Sequence, residues 1–214
     1  EVYLPPSCGC MPWPSADVLL RVFRTRPRWA AGARVLELGA GSGRVGLELA
    51  ARAARVVLTD VDASCLELLR LNASLREGRI EVDGPLRFGD TALPGGGGQR
   101  FDLVLANDVL YPSQEPETLS QLLATAAAFL EPDPAVALGL AECGAAEERV
   151  CPRGFLLNLV RRNLEAAWLL GEAAVAGFAC ELIAREVIAD PSLGPQADDE
   201  ALESLVFLLR PRAW

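Results

Sequence analysis

The feature that most constrains this chain is the run Glu37-Leu38-Gly39-Ala40-Gly41-Ser42-Gly43, set between a β-type segment (Arg34-Val35-Leu36-Glu37-Leu38) and a helix-type one (Val45 to Ala53). Glycines spaced every second residue let the backbone turn sharply and come close to a ligand. The turn also presents the first N–H groups of the helix, which favour an anionic group such as a carboxylate. A strand, a glycine turn and a helix in that order open a βαβ unit, so a parallel sheet with helices on both faces is expected. The rest of the chain repeats the alternation. Ser15 to Phe23 reads as a helix capped by Ser15, with Val18, Leu19 and Val22 on one face. Val56 to Asp60 reads as a buried strand, and Ala63 to Arg76 as a helix with Leu68, Leu71 and Leu75 on its apolar face. Strands follow at Ile80 to Phe88, Phe101 to Ala106, Ala135 to Ala141, Phe178 to Ile188 and Ser204 to Leu209, with helices at Thr118 to Leu130 and Gly154 to Ala176. Gly95 to Gly98 is expected at a loop tip, and a polar loop spans Ala189 to Glu200. The last two strands have no helix between them, so the final one should return antiparallel. The expected fold is therefore a doubly wound α/β domain with a Rossmann-like, seven-stranded sheet, its last strand antiparallel. One domain covers 1–214, with residues 1–32 as a leading segment and helix and 33–214 as the core.

Two cofactor classes use such a turn. Gly41-Ser42-Gly43-Arg44-Val45-Gly46 satisfies the dinucleotide pattern G-x-G-x-x-G, and Asp60 lies 19 residues after Gly41. Glu37, two residues before the first glycine, instead resembles the acidic residue that opens the class I methyltransferase motif E/D-x-G-x-G-x-G. The charge inventory favours the second class. All 20 basic residues are Arg, with no Lys and no His, so a dehydrogenase would lack the usual side chains that handle the proton accompanying hydride transfer. The same absence closes mechanisms built on a His base, a Lys Schiff base or a His metal ligand. In either class, Asp60 ends the second strand at the sheet edge where ligands bind, and its carboxylate can accept hydrogen bonds from ribose hydroxyls. Its alternative is a helix cap, for which Asp62 is better placed.

The net charge of −9 argues against a nucleic-acid binder and suits a basic protein as substrate. Six cysteines, with Cys8-Gly9-Cys10 as the only close pair and no His, make a metal site unexpected and point to reduced thiols in a cytoplasmic or nuclear protein. Glu1 to Pro6 lacks the basic and apolar regions of a signal peptide, the absence of an initiator Met suggests trimming upstream, and no apolar run is long enough to span a membrane.

With these residues in view the chain resembles methyltransferase family 16, the seven-β-strand protein N-methyltransferases that mostly modify lysine. The resemblance rests on four blocks between residues 9 and 111: Gly9 to Leu19, Glu37 to Gly46, Leu86-Arg87-Phe88-Gly89-Asp90, and Asn107-Asp108-Val109-Leu110-Tyr111, which carries D-x-x-Y. It implies S-adenosyl-L-methionine (SAM) as cofactor, held by the Glu37, Gly39, Gly41, Gly43 turn and Asp60. Trp13 would lie across it, Phe88 against the adenine, and the Asn107 backbone near the methionine end. Trp13 and Phe88 also read as plain core, and Asp90 is the alternative adenine partner. Asp108 and Tyr111 are the expected catalytic pair, the first orienting an amine and the second walling its pocket; turn formation and packing are their alternatives. A protein substrate, most often lysine, and a monomeric enzyme follow from the resemblance. The alternatives are a small-molecule methyltransferase on the same fold and a SAM-binding partner module without catalysis. Past the fifth strand the family often has an Arg where this chain has Leu140-Ala141-Glu142-Cys143-Gly144, so the acceptor is less constrained there.

Overall fold

The computed structural model describes residues 8–11, 13–96, 98–111, 114–132, 151–161, 165–189 and 201–212. Seven strands form one sheet: β1 (Arg34–Leu38), β2 (Arg55–Thr59), β3 (Ile80–Val82), β4 (Leu103–Asn107), β5 (Gly154–Val160), β6 (Phe178–Ala189) and β7 (Ala201–Pro211). Their order is β3-β2-β1-β4-β5-β7-β6. The five strands from β3 to β5 pair in parallel, whereas β7 lies antiparallel between β5 and β6. This is the expected doubly wound sheet with its last strand reversed. The described helices are α1 (Ser15–Thr25), α2 (Arg44–Leu49), α3 (Ala63–Ser74), α4 (Thr118–Phe129) and α5 (Ala166–Val175).

Alternation along the strands divides the core in two. Val35, Leu103, Leu105, Leu156 and Val206 pack with α1, α2 and α3, while Leu36, Val104, Leu157 and Phe207 pack with α4 and α5. Chain direction reverses its progress across the sheet between β1 and β4, and a crevice opens there beyond the carboxyl ends of the strands.

Three expectations fail locally. Gly154 to Ala176 is not one helix: its first seven residues form β5, every one of them buried. A strand covered on both faces shows no alternation, so its apolar run reads equally well as a buried helix. The expected strand at Ala135 to Ala141 lies outside the described residues, so the count of seven is met with β5 in another place. On α3 the buried side is Cys65, Leu66 and Leu69, while Leu71 and Leu75 are exposed. Leu68, Leu71 and Leu75 share the helical spacing, but leucines also cover the outer face here and outnumber the signal. Finally, Ser15 does not cap α1. Pro14 occupies that position without a side-chain bond, and the Ser15 hydroxyl serves another partner.

Boundaries shift elsewhere. α2 ends at Leu49, and β3 ends at Val82 just before Gly84-Pro85, where proline offers no ladder N–H.

Candidate functional site

The glycine turn starts where β1 ends. Gly39, Gly41 and Gly43 have φ of 63°, 56° and 80°, the left-handed region that side chains disfavour. A Cβ on Gly41 would stand 2.3 Å from the Gly9 carbonyl oxygen, so the leading segment rests directly on the turn. Gly43 has a different reason. A Cβ there would meet Leu69 Cδ2 at 2.7 Å, so its role is to seat α2 against α3, and it does not line the crevice.

Two carboxylates fasten this turn. Asp60 Oδ2 accepts from the Gly41 N–H at 2.9 Å, and its Oδ1 accepts from the N–H groups of Val61 and Asp62 at 2.8 and 3.0 Å. Asp62 is the cap of α3, accepting from Ser64 and Cys65. Glu37, 2% exposed, accepts from the Gly46 N–H at 2.8 Å. Burial pushes its carboxyl up to about 8, against the Gly46 bond that lowers it and with the Asp60 charge adding to the rise. Gly46 leaves room for this contact, because a Cβ there would lie 2.4 Å from Leu58 Cδ2 and 2.6 Å from Glu37 Oε2.

The crevice holds a cavity of about 280 Å³. Of the residues singled out from the sequence, Trp13, Glu37, Gly39, Gly41, Asp60, Phe88, Asn107, Asp108 and Tyr111 line it. Asp90 does not: its carboxylate accepts from the Arg87 N–H at 2.8 Å and closes a local turn. Sequence reasoning missed Ser42, Arg44, Cys65 and Gln114, which also line it. Gln114 spans the loop after β4, accepting from the Tyr111 N–H at 2.7 Å and donating to the Val109 carbonyl at 3.0 Å. A glutamine three residues past D-x-x-Y carries no sequence signal for that bridge. Cys10 and Cys65 have their sulfurs 3.6 Å apart, joining the leading segment to α3 beside the cavity.

Asp108 is 3% exposed and has φ of 55°, unusual for a residue with a side chain. Its N–H donates to the Asn158 carbonyl at 3.0 Å and its Oδ2 accepts from the Ser15 hydroxyl at 3.3 Å. A strained, buried acid at a cavity wall is where functional groups concentrate. The lining as a whole combines carboxylates with the rings of Trp13 and Phe88 around glycine backbone. Those acceptors and rings suit a ligand carrying hydroxyls, a positive charge and a flat ring, and SAM has all three.

The family profile described as "Lysine methyltransferase" matches residues 3–149. The chain is 30% identical over 131 residues to the mouse (Mus musculus) histone-arginine methyltransferase METTL23, a match covering 60% of this chain and 50% of that one. It is 34% identical over 118 residues to the Danio rerio protein N-lysine methyltransferase METTL21A, covering 52% of each. The chain thus spans about half the length of these two relatives. Magnesium protoporphyrin IX methyltransferase from Synechocystis PCC 6803, solved with bound SAM, superposes with a TM-score of 0.59 at 15% identity, over 90% of this chain and 77% of that one. That likeness concerns the fold. With a profile match over more than half its residues, the chain belongs to the lysine methyltransferase family of class I, SAM-dependent methyltransferases.

Proposed function

We propose that this chain is a protein N-methyltransferase whose acceptor is a lysine side chain, with Asp108 and Tyr111 at the acceptor end of the cavity. The observation that carries the reading is Asp108 itself: a buried carboxylate, held in left-handed backbone where β4 ends, on the wall of the crevice. SAM, when bound, supplies a methyl group on a sulfonium sulfur. The turn at Gly39 and Gly41, with Asp60, Trp13, Phe88 and Asn107, would hold it.

The chain's own task is then to present a nucleophile. A lysine amine in water has a pKa of about 10.4 and attacks only when neutral. Asp108 attracts the ammonium, fixes its approach and gives its departing proton a nearby acceptor. Tyr111 walls the pocket, and its ring face favours a cation before that proton is lost. Aligning donor and acceptor accounts for most of what such a site contributes, because the hard chemistry resides in the cofactor.

A second reading, arginine as acceptor, is favoured by the likeness to the mouse histone-arginine methyltransferase. One experiment separates them: incubation with SAM carrying a labelled methyl group and a hypomethylated cell lysate, followed by acid hydrolysis and analysis of the labelled amino acids. Methyl-lysine supports the first reading and methyl-arginine the second. Label confined to small molecules would reject both. This chain contains no lysine, so methyl-lysine cannot arise from its own side chains.

A further inference from the structure

Beside Asp108, the α1 face of the sheet carries a row of polar residues that leads from Asn107 on the cavity wall into the core. Asn107 on β4 and Asn158 on β5 are register partners, and Ser204 lies on β7. Ser15, Asn158 and Ser204 are all fully buried. Together with Asp108 they form a continuous chain. Ser204 Oγ donates to Asn158 Oδ1 at 2.7 Å, Asn158 Nδ2 to Asn107 Oδ1 at 2.9 Å, Asn107 Nδ2 to Ser15 Oγ at 3.1 Å, and Ser15 Oγ to Asp108 Oδ2 at 3.3 Å.

The direction of this chain follows from one atom. Asn158 Nδ2 also donates to the backbone carbonyl of Ser15 at 2.8 Å, and a carbonyl can only accept. The amide of Asn158 is therefore fixed with its nitrogen toward Ser15 and Asn107. Asn107 must then turn its oxygen to Asn158 and its nitrogen to Ser15. Ser15 Oγ, already accepting from Asn107, has its single hydrogen left for Asp108. Buried hydrogen bonds arranged head to tail polarise one another, so each donor strengthens the next.

We infer that Asn158 and Ser204, neither of which touches the cavity, are positioning residues that orient the Asp108 carboxylate through Asn107 and Ser15. The inference rests on Asp108 meeting the acceptor, and it deepens that reading. Asn158→Leu roughly keeps the volume and removes the amide, so nothing fixes which way the Asn107 amide faces and the Ser15 hydrogen is no longer committed to Asp108. Ser15→Ala removes the same final bond directly.

The test is the rate of methyl transfer from labelled SAM into a hypomethylated lysate, with SAM affinity and melting temperature for each variant. Asn158→Leu and Ser15→Ala should each slow transfer by about 10- to 100-fold, the scale of a misplacement near 1 Å, with SAM affinity within about twofold of wild type. The double variant should be no slower than either single one, because both act on one bond. If Asn158→Leu does not fold, Ser204→Ala takes its place in the same cycle with a smaller loss. Losses that multiply in the double variant, or that track SAM affinity, would overturn the inference. Asp108→Ala is measured alongside. If it is slow while the other losses multiply, only the positioning chain is rejected. If it is as fast as wild type, the acceptor role of Asp108 fails and the chain fails with it.

Discussion

Asp60 fastens the glycine turn, and in the proposed site it would also hold SAM. Both of its oxygens already accept backbone N–H groups, three in all, and a carboxylate has capacity for more. Asp60→Ala should therefore weaken SAM binding by roughly 1.5–3 kcal/mol, the range for hydrogen bonds to a charged group, and also loosen the turn that Gly41 anchors. Asparagine keeps one acceptor oxygen, so it should recover only part of the loss; calorimetry on the two variants checks the order. An affinity within twofold of wild type for Asp60→Ala would remove it from the site. Glu37 gives a pH signature of its own. The folded protein keeps this proton to about pH 8, whereas an unfolded chain releases it near 4.5. The native state thus binds more protons across that window, and stability falls as pH rises through it. Glu37→Gln, which still accepts from Gly46, should abolish this fall, read as melting temperatures at both ends of the window. Parallel curves for variant and wild type would contradict the buried proton. These two acids were legible in the sequence because each stands at the end of a β-type run, Glu37 just before the glycine turn and Asp60 at the close of the next strand. Asn158 and Ser204 were not, since one polar residue inside an apolar run announces neither its partner nor its direction.

Among the elements, the glycine turn was the best read and its surroundings the worst. Spacing alone marked Gly39, Gly41 and Gly43, yet it could not tell that Gly41 faces the leading segment while Gly43 faces α3. That difference makes a prediction. Gly41→Ala must displace Gly9, whose carbonyl would lie 2.3 Å from the new carbon, so SAM affinity should drop and residues 8–11 should become cleavable by protease. Gly43→Ala presses on leucine side chains, which can shift, and should lose less affinity than Gly41→Ala. Calorimetry with limited proteolysis distinguishes them; equal affinity losses would mean that both glycines serve the same contact. β5 shows the opposite limit. Its burial on both faces removed the alternation by which strands are recognised, and only its neighbours β4 and β7 define it. The exposed leucines of α3 misled for a related reason: periodicity reports a face only when the other face is polar.

Across the whole molecule, architecture was more legible than placement. Alternating segments and a helix-free last connection sufficed for a doubly wound sheet with a reversed final strand, because few topologies satisfy both. The position of β7 has a further consequence, for the order in which the molecule can be built. β6 is made before β7, but β7 is the strand it pairs with, so β6 has no place in the sheet until the later strand emerges. Until then β5 is an open edge, and its sequence, Gly154-Phe155-Leu156-Leu157-Asn158-Leu159-Val160, has no charge to deter pairing with another chain. Val206→Pro, which removes a donor from the middle of β7, should therefore yield aggregates during synthesis instead of a soluble, merely less stable enzyme. Soluble yield on expression measures it, and a soluble variant with wild-type yield would show that β5 needs no such cover. Ser204 sits on the same strand, so a newly made chain acquires the last donor behind Asp108 and the cover for the uncharged β5 edge in a single event.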